Sequence, residues 1–356
     1  MEKNKLKLLM IPIETSIKQA MQNLSNTGEK ILFVVDDKNV LLGTITDGDI
    51  RKKILMGVSL NHSVKHIMQV NFISCQEENP DKISKAVNLM KSKQVDQIPV
   101  VTSKGVIVDV LSWIDYIEKK SNVYPTFDNS VVIMAGGKGT RLDPFTRILP
   151  KPLIPIQNKP IIEHIMDKFY ENGFHKFTLI VNYKKEIIKM YCKENSFPYQ
   201  IDFIDEDQYL GTAGGLSLLN NGFDDAVFIT NCDTILEADY FDILRWHKEK
   251  MNIISIIGTH KEITVPYGVL KMAKGALQSI DEKPKYDIFI NTGFYIIEPN
   301  FIEFIDKNTF VNMDKILQKV LNSFPEKVGV YPHWGNWFDI GQWDEYKKSL
   351  QFLEGK

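Results

Sequence analysis

Apolar side chains recur at Ile17, Ala20, Met21 and Leu24, the i, i+3, i+4, i+7 spacing that lays one stripe along an α-helix. The same stripe returns 66 positions later at Ile83, Ala86, Val87 and Met90. After each helix come two short apolar runs: around Val34-Val35 and again before Thr46 in the first copy, around Val100-Val101 and again before Ser112 in the second. The turns between the runs fall at Lys38-Asn39 and Lys104-Gly105. Residues 31–51 align without a gap on residues 97–117. The pattern therefore predicts two copies of a helix, strand, turn, strand unit, each too small to bury its own face and packed against the other. Residues 121–129, SNVYPTFDN, hold a proline and turn formers without periodicity and read as a linker.

Beyond the linker the period changes. Apolar runs alternate with helical stretches: Val131 to Ala135 then Ile161 to Tyr170, Phe177 to Val181 then Glu186 to Cys192, Val227 to Thr230 then Tyr240 to Lys250. That alternation predicts an α/β, doubly wound domain with a mostly parallel sheet, whose ligands bind beyond the carboxyl ends of its strands. The expected organisation is repeat 1 over 1–60, repeat 2 over 61–120, a linker over 121–129 and the α/β domain over 130–356.

The chain has 356 residues, with 43 Lys and Arg against 45 Asp and Glu, so no net field draws it to nucleic acid or an anionic membrane. Small-molecule chemistry is the expectation. The three cysteines, Cys75, Cys192 and Cys232, form neither a CxxC nor a Cys/His cluster, which excludes a zinc scaffold and suits a reducing compartment. MEKNKLKLLM lacks an apolar stretch of signal length, and no run of about 18 apolar residues occurs, so a cytoplasmic location is expected.

The strand ending at Ala135 runs directly into Gly136-Gly137-Lys138-Gly139-Thr140-Arg141, where small residues let backbone amides close around phosphate oxygens. A P-loop and a dinucleotide fingerprint both fail here: there is no Lys-Ser/Thr after a second glycine, and Leu142 stands where a third small residue is needed. A plain tight turn is the alternative. Ten residues on, Lys151 lies between Pro150 and Pro152, which stiffen its backbone. Asp233 closes the apolar run from Val227, and Asp339 follows Trp337-Phe338; each could instead cap the next helix.

Taken together, GGKGTRLDPFTRILPKPLIPIQNKPI resembles the signature of the sugar-1-phosphate nucleotidylyltransferases. The resemblance continues in order through Leu210-Gly211-Thr212-Ala213-Gly214, Asn231-Cys232-Asp233, Pro266-Tyr267-Gly268-Val269, Glu282-Lys283-Pro284, Asn291-Thr292-Gly293 and Trp337-Phe338-Asp339-Ile340-Gly341. It implies a Rossmann-like transferase in which Ala135, Gly136, Gly137, Gly139, Thr140, Gly211, Thr212 and Ala213 bind a nucleoside triphosphate. Arg141 and Lys151 would neutralise its phosphates, and Asp233 and Asp339 would hold Mg²⁺. The acceptor, a sugar 1-phosphate, would meet Tyr267, Gly268, Glu282, Lys283, Asn291 and Thr292. No general base is required, because the attacking phosphate is already ionised. His164, His175, His247, His260 and His333 are accordingly read as structural, and Met272, Phe289 and Phe294 as core. Cys232 departs from the family's usual glycine.

Leu-Gly-Thr-Ala-Gly is more similar to the guanylyltransferase branch than to the thymidylyltransferase one, which implies GTP. The N-terminal repeat resembles a tandem pair of CBS domains. In that family the segment matching Gly43-Thr44-Ile45-Thr46-Asp47-Gly48-Asp49 contacts a nucleotide, so Thr46, Asp47 and Asp49 are candidates for a regulatory ligand. In the second copy Ser112 and Asp115 match Thr46 and Asp49, but Trp113 replaces Asp47. Helix capping by Thr46 and Asp47 is the alternative, with the pair serving packing or homo-oligomer formation. A CBS pair ahead of this transferase resembles enzymes that supply GDP-activated glucosamine for legionaminic acid, which points to a hexosamine 1-phosphate; mannose 1-phosphate enzymes share the core motifs. A reading of a different class is a non-catalytic subunit that senses nucleotide sugars. Retention of Arg141, Lys151, Asp233 and Asp339 speaks against it.

Overall fold

The computed structural model describes residues 3–93, 95–112, 126–219, 223–341 and 343–354. Trp113 and Asp115 lie outside them. The chain divides into two compact units, Met1–Val123 and Tyr124–Lys356.

In the first unit, α1 (Lys3–Leu9) leads into β1 (Met10–Pro12), α2 (Ile17–Thr27), β2 (Ile31–Val35), β3 (Leu41–Thr46) and α3 (Asp47–Leu55). The second copy repeats the plan with β4 (Cys75–Gln76), α4 (Lys82–Lys93), β5 (Gln97–Val101) and β6 (Ile107–Ser112). Each copy makes a three-stranded sheet, β1-β2-β3 and β4-β5-β6. The two predicted turns meet: Val40 bridges Val106, Leu41 N donates to Gly105 O at 2.9 Å, and Ile107 N donates to Asn39 O at 3.1 Å. Ile17, Ala20, Met21 and Leu24 are all buried, as the stripe predicts. In the second copy Ala86 and Met90 are buried and Val87 half-buried, but Ile83, in the first turn of α4, is 46% exposed.

The second unit is built on one seven-stranded sheet. Its strands are β7 (Val131–Ala135), β8 (Lys176–Val181), β9 (Gln200–Asp205), β10 (Val227–Asn231), β12 (Ile254–Thr264), β15 (Lys285–Ile297) and β16 (Val328–His333). Their order is β9-β8-β7-β10-β15-β12-β16, and β15 alone runs against its neighbours. Leaving β7, the chain winds outward through α5 (Ile161–Glu171), β8, α6 (Lys185–Glu194) and β9, then returns to place β10 on the other side of β7. The carboxyl ends of β7 and β10 thus flank the point where the winding reverses, which is where open α/β sheets leave a crevice. Phe169 on α5, Phe174, Phe228 on β10, Phe294 on β15 and Tyr240 on α7 (Tyr240–Lys250) form the aromatic centre of the core.

Several expectations change. The stretch expected to be linker is packed from Phe127 onward: its ring stacks on Phe174 at 4.9 Å, and Asn129 Nδ2 donates to Ala226 O at 2.8 Å. Turn-forming residues do not prevent packing when an aromatic among them finds a partner. Phe294 is core, but Met272 is 68% and Phe289 38% exposed. Both belong to an arm in which β12 and β15 run past the sheet and carry the hairpin β13 (Val269–Ala273) and β14 (Ala276–Asp281), where no second layer covers them. Finally, β10 stops at Asn231, and Cys232-Asp233 turn the chain into β11 (Thr234–Leu236).

Candidate active site

The turn at Cys232-Asp233 is what assembles the site. β11 pairs antiparallel with β17 (Trp337–Asp339), with Thr234 opposite Asp339, and Ile340 N donates to Asp233 O at 2.9 Å. Two aspartates 106 positions apart are thereby set side by side. Lys151, on the short turn Lys151–Leu153, pairs its ammonium with Asp233 Oδ2. Gly341 marks their common point: a Cβ there would lie 2.6 Å from Asp233 Oδ2, 2.9 Å from Asp339 Oδ1 and 3.0 Å from Lys151 Nζ. Only a residue without a side chain lets the three groups converge.

The electrostatics follow from that crowding. Burial pushes the Asp339 carboxyl above the ordinary carboxylate value, and the neighbouring Asp233 charge pushes it further. For Lys151, burial by itself would lower the ammonium, but the Asp233 carboxylate, with Asp339 behind it, holds it above the usual lysine value. Adjacent carboxylates, one buried and one half-buried, offer hard oxygen donors whose mutual repulsion a divalent cation relieves. This donor set fits Mg²⁺.

The glycine-rich turn lies beside this cluster. Gly139 takes the left-handed conformation, φ 67°, and a Cβ on it would come within 2.9 Å of Lys151 Cβ and of Thr146 Cγ2. Arg141 follows on the exposed turn Thr140–Leu142 and makes no ion pair among the described residues. Ala135 and Gly136 are buried at the end of β7, while Gly137 and Thr140 face outward.

Gly136 leads to a residue that no motif singled out. A Cβ at Gly136 would run into Glu206 Oε2, and one at Gly215 into Glu206 Oε1. Glu206 is 2% exposed, yet neither carboxylate oxygen has a hydrogen-bond partner. Burial pushes its carboxyl from an ordinary 4.5 up to about 7, opposed by the nearby Leu210 amide, which lies outside hydrogen-bond geometry. The resemblance implies that the loop Asp205–Gly214 faces the base, but it does not mark Glu206 within that loop.

The Leu210–Gly214 loop is held by residues 311–313. Ala213 N and Gly214 N both donate to Val311 O at 3.1 Å, and Thr212 N donates to Asn312 Oδ1 at 3.3 Å. Met313 N donates to Thr212 Oγ1 at 2.9 Å at the start of α8 (Met313–Ser323). The amides of Thr212 and Ala213 thus position the loop. Gly211 fits for the same reason: its φ is 87°, and a Cβ would lie 2.6 Å from Val311 O.

The acceptor candidates fall into two groups. Tyr267, Gly268, Glu282 and Lys283 gather at the base of the exposed hairpin, where a Cβ on Gly268 would lie 2.9 Å from Glu282 Oε2. Tyr267 is 75% exposed, and no bond among the described residues ties this group to Lys151 or the aspartates. Asn291 and Thr292 lie nearer, since a Cβ on Gly293 would strike Asn231 Nδ2 and Thr234 Oγ1 donates to Thr292 O at 3.4 Å. Thr292 Oγ1 donates to Ile257 O at 2.7 Å and accepts from Phe294 N at 3.2 Å, so its hydroxyl braces β15 against β12. Asn291 is exposed. Cys232 is buried, and burial pushes its thiol up to about 12, which leaves it without nucleophilic character.

In the first unit two of the three ligand candidates, Thr46 and Asp49, bond each other. Thr46 Oγ1 accepts from Asp49 N at 3.2 Å while Asp49 Oδ2 accepts from Thr46 N at 2.9 Å, a reciprocal capping box on α3. Asp47 pairs with the buried Arg51 one turn along. Thr46 caps the helix as the alternative expects, with Asp49 as the second member of the box in place of Asp47.

Comparison with known proteins agrees with this geometry. Residues 4–56 and 64–122 each match the model of the CBS domain, and residues 130–356 match the model of the nucleotidyl transferase family. A probable mannose-1-phosphate guanylyltransferase 3 of Oryza sativa subsp. japonica is 31% identical over 230 residues, covering 62% of this chain and 63% of that protein. A UTP–glucose-1-phosphate uridylyltransferase of Synechocystis is 30% identical over 241 residues, covering 62% of each. The chain thus spans less than two thirds of the length of these relatives. Among solved structures, HddC from Yersinia pseudotuberculosis, complexed with GMP-PN, superposes with a TM-score of 0.50 at 26% identity, covering 63% of this chain and 99% of that one. With more than half of its residues matched by one family model, the chain is a member of the nucleotidyl transferase family.

Proposed function

We propose that the protein is a sugar-1-phosphate guanylyltransferase, which joins GTP and a hexose or hexosamine 1-phosphate into a GDP-sugar and releases pyrophosphate. The observation that carries the reaction type is the convergence of Lys151, Asp233 and Asp339 on Gly341, beside the glycine turn at the switch point of the sheet. In this reading the amides of Gly136, Gly137 and Gly139 cradle the triphosphate, Arg141 meets its outer phosphates, and Lys151 faces the α-phosphate. An oxygen of the sugar phosphate attacks the α-phosphorus in line. The bond from that phosphorus to the bridging oxygen of the β-phosphate breaks, and pyrophosphate leaves with the electron pair. Lys151 and Arg141 stabilise charge that builds up as this happens, where fixed cations in a water-poor crevice act most strongly. Asp233 and Asp339 would hold Mg²⁺, which supplies charge neutralisation at the phosphates.

The base assignment rests on Glu206. A buried carboxylate without donors is costly unless a ligand supplies them. Guanine offers two N–H donors, N1–H and the 2-amino group, on one edge, in a spacing that suits a carboxylate. For the acceptor, the CBS pair favours glucosamine 1-phosphate, as in legionaminic acid supply. The names of the relatives favour mannose 1-phosphate. A homo-oligomer and a nucleotide effector at the CBS pair belong to the same reading.

The test is a matrix of four nucleoside triphosphates against glucosamine, N-acetylglucosamine, mannose and glucose 1-phosphates, with Mg²⁺, read by pyrophosphate release. GTP with one hexose or hexosamine 1-phosphate is the expected pair. Absence of release from every combination would discard the enzyme reading in favour of the sensing subunit.

A further inference from the structure

Three consecutive residues after β8 hold loops of the site, two of them the same loop over residues 146–148, and none belongs to a motif noted in the sequence. Asn182 Nδ2 donates to Glu206 O at 2.9 Å. Tyr183 N donates to Gly136 O at 3.3 Å, and Tyr183 OH donates to Thr146 O at 3.2 Å. Lys184 Nζ donates to Arg147 O at 2.5 Å and to Ile148 O at 2.8 Å. Lys184 does this from the left-handed region, φ 52° and ψ 34°, at the N-cap of α6. A non-glycine residue is strained there and persists where its surroundings fix it. Its ammonium also lies 5.4 Å from the centroid of the Tyr183 ring.

The two carbonyls that Lys184 takes close the 3-10 turn Phe145–Arg147. Carbonyls at such an end have no partner within the turn, and a lysine ammonium is a fitting donor for them. This turn sits in the chain between Arg141 and Lys151, the two cations assigned to the triphosphate.

We infer that Lys184 is a positioning residue that pins residues 145–148 and thereby sets the spacing of Arg141 and Lys151 across the phosphates. The inference rests on the nucleotidyl-transfer reading. Lys184 touches no substrate in this role and acts through backbone carbonyls alone. Its loss therefore loosens the grip on the triphosphate and leaves the acceptor pocket as it was.

The experiment compares full-length wild type, Lys184→Met and Lys184→Arg. Lys184→Met should raise KM for the nucleotide about tenfold, within the range known for small misplacements of binding groups, with KM for the sugar phosphate and the Tm unchanged. Lys184→Arg, whose guanidinium can again donate to two carbonyls, should recover most of the loss. Without any substrate, trypsin should cut after Arg147 faster in Lys184→Met than in the other two proteins. Unaltered cleavage, unaltered nucleotide KM, or an equal rise in both KM values with a lowered Tm would each overturn the inference. A wild type inactive with every nucleotide would defeat the underlying reading instead, and the trypsin comparison would still report whether Lys184 pins the turn.

Discussion

Lys151 and Asp233, 82 positions apart, form a nearly buried ion pair, with side chains 12% and 9% exposed. In the absence of nucleotide the lysine is thus the counter-ion that keeps Asp233 and Asp339 compatible. Lys151→Met should lower activity and also destabilise the domain by about 3–5 kcal/mol, the usual consequence of leaving a buried charge uncompensated. Thermal melting with and without Mg²⁺ checks this: millimolar Mg²⁺ should restore much of the lost Tm in the variant and change the wild type little. A variant that melts like wild type in both conditions contradicts the assignment.

Asp233→Asn and Asp339→Asn keep the shape of the site and remove one charged oxygen donor each. Each should lower kcat roughly 10²- to 10³-fold, while circular dichroism stays close to wild type; Asp233→Asn, which breaks the pair with Lys151, should also lower the melting temperature. Steady-state pyrophosphate release at several Mg²⁺ concentrations is the measurement, and a shifted Mg²⁺ requirement is the expected signature. Full turnover in Asp339→Asn would remove that residue from the metal site.

Glu206→Gln exchanges a pure acceptor for a side chain that both donates and accepts. GTP should lose about 1–3 kcal/mol of binding, roughly 10- to 100-fold in kcat/KM, while uridine or thymidine triphosphate, whose edge presents one donor flanked by acceptors, should lose less or gain. Competition between nucleotides gives the ratio directly. An unchanged GTP preference would show that another group reads the base.

The proton on Glu206 gives a pH dependence of defined sign. Its carboxyl is pushed up to about 7 in the folded protein, above its ordinary value, so its contribution to stability is complete below the ordinary value and is lost as pH rises through about 7. The ligand-free protein should therefore melt at lower temperature at pH 8 than at pH 5.5 by an increment that Glu206→Gln abolishes. Guanine donors favour the ionised form, so GTP binding near neutral pH should release a proton. Calorimetry in buffers of different ionisation enthalpy measures that release, and a value of zero in wild type would refute the contact.

In the first unit, Thr46→Ala removes one half of the capping box and should cost about 1 kcal/mol of stability. Turnover by the transferase unit should not change. Chemical denaturation followed beside activity separates the two effects. Loss of a nucleotide response in this variant without loss of stability would reinstate Thr46 as a ligand contact.

Local pattern carried much of this molecule. The stripe at Ile17, Ala20, Met21 and Leu24, the paired turns at Asn39 and Gly105, and the alternation that fixes β7, α5, β8 and β10 are all short-range consequences of side-chain period, so they can be read along the chain. Arg141, Lys151, Asp233 and Asp339 were equally legible as residue types at strand ends and turns. What the linear order could not give was which of them meet. Asp339 reaches Asp233 only because β11 and β17 pair with Thr234 opposite Asp339, and that register depends on contacts between distant parts of the chain. Glu206, buried between two glycines from different loops, and Lys184, reaching back to carbonyls 36 and 37 positions earlier, follow the same rule. The amino-acid order determined the elements and the inventory of charged groups. Tertiary packing alone decided which groups lost their water and faced one another, because desolvation and charge proximity depend on distance in space and not on separation along the chain.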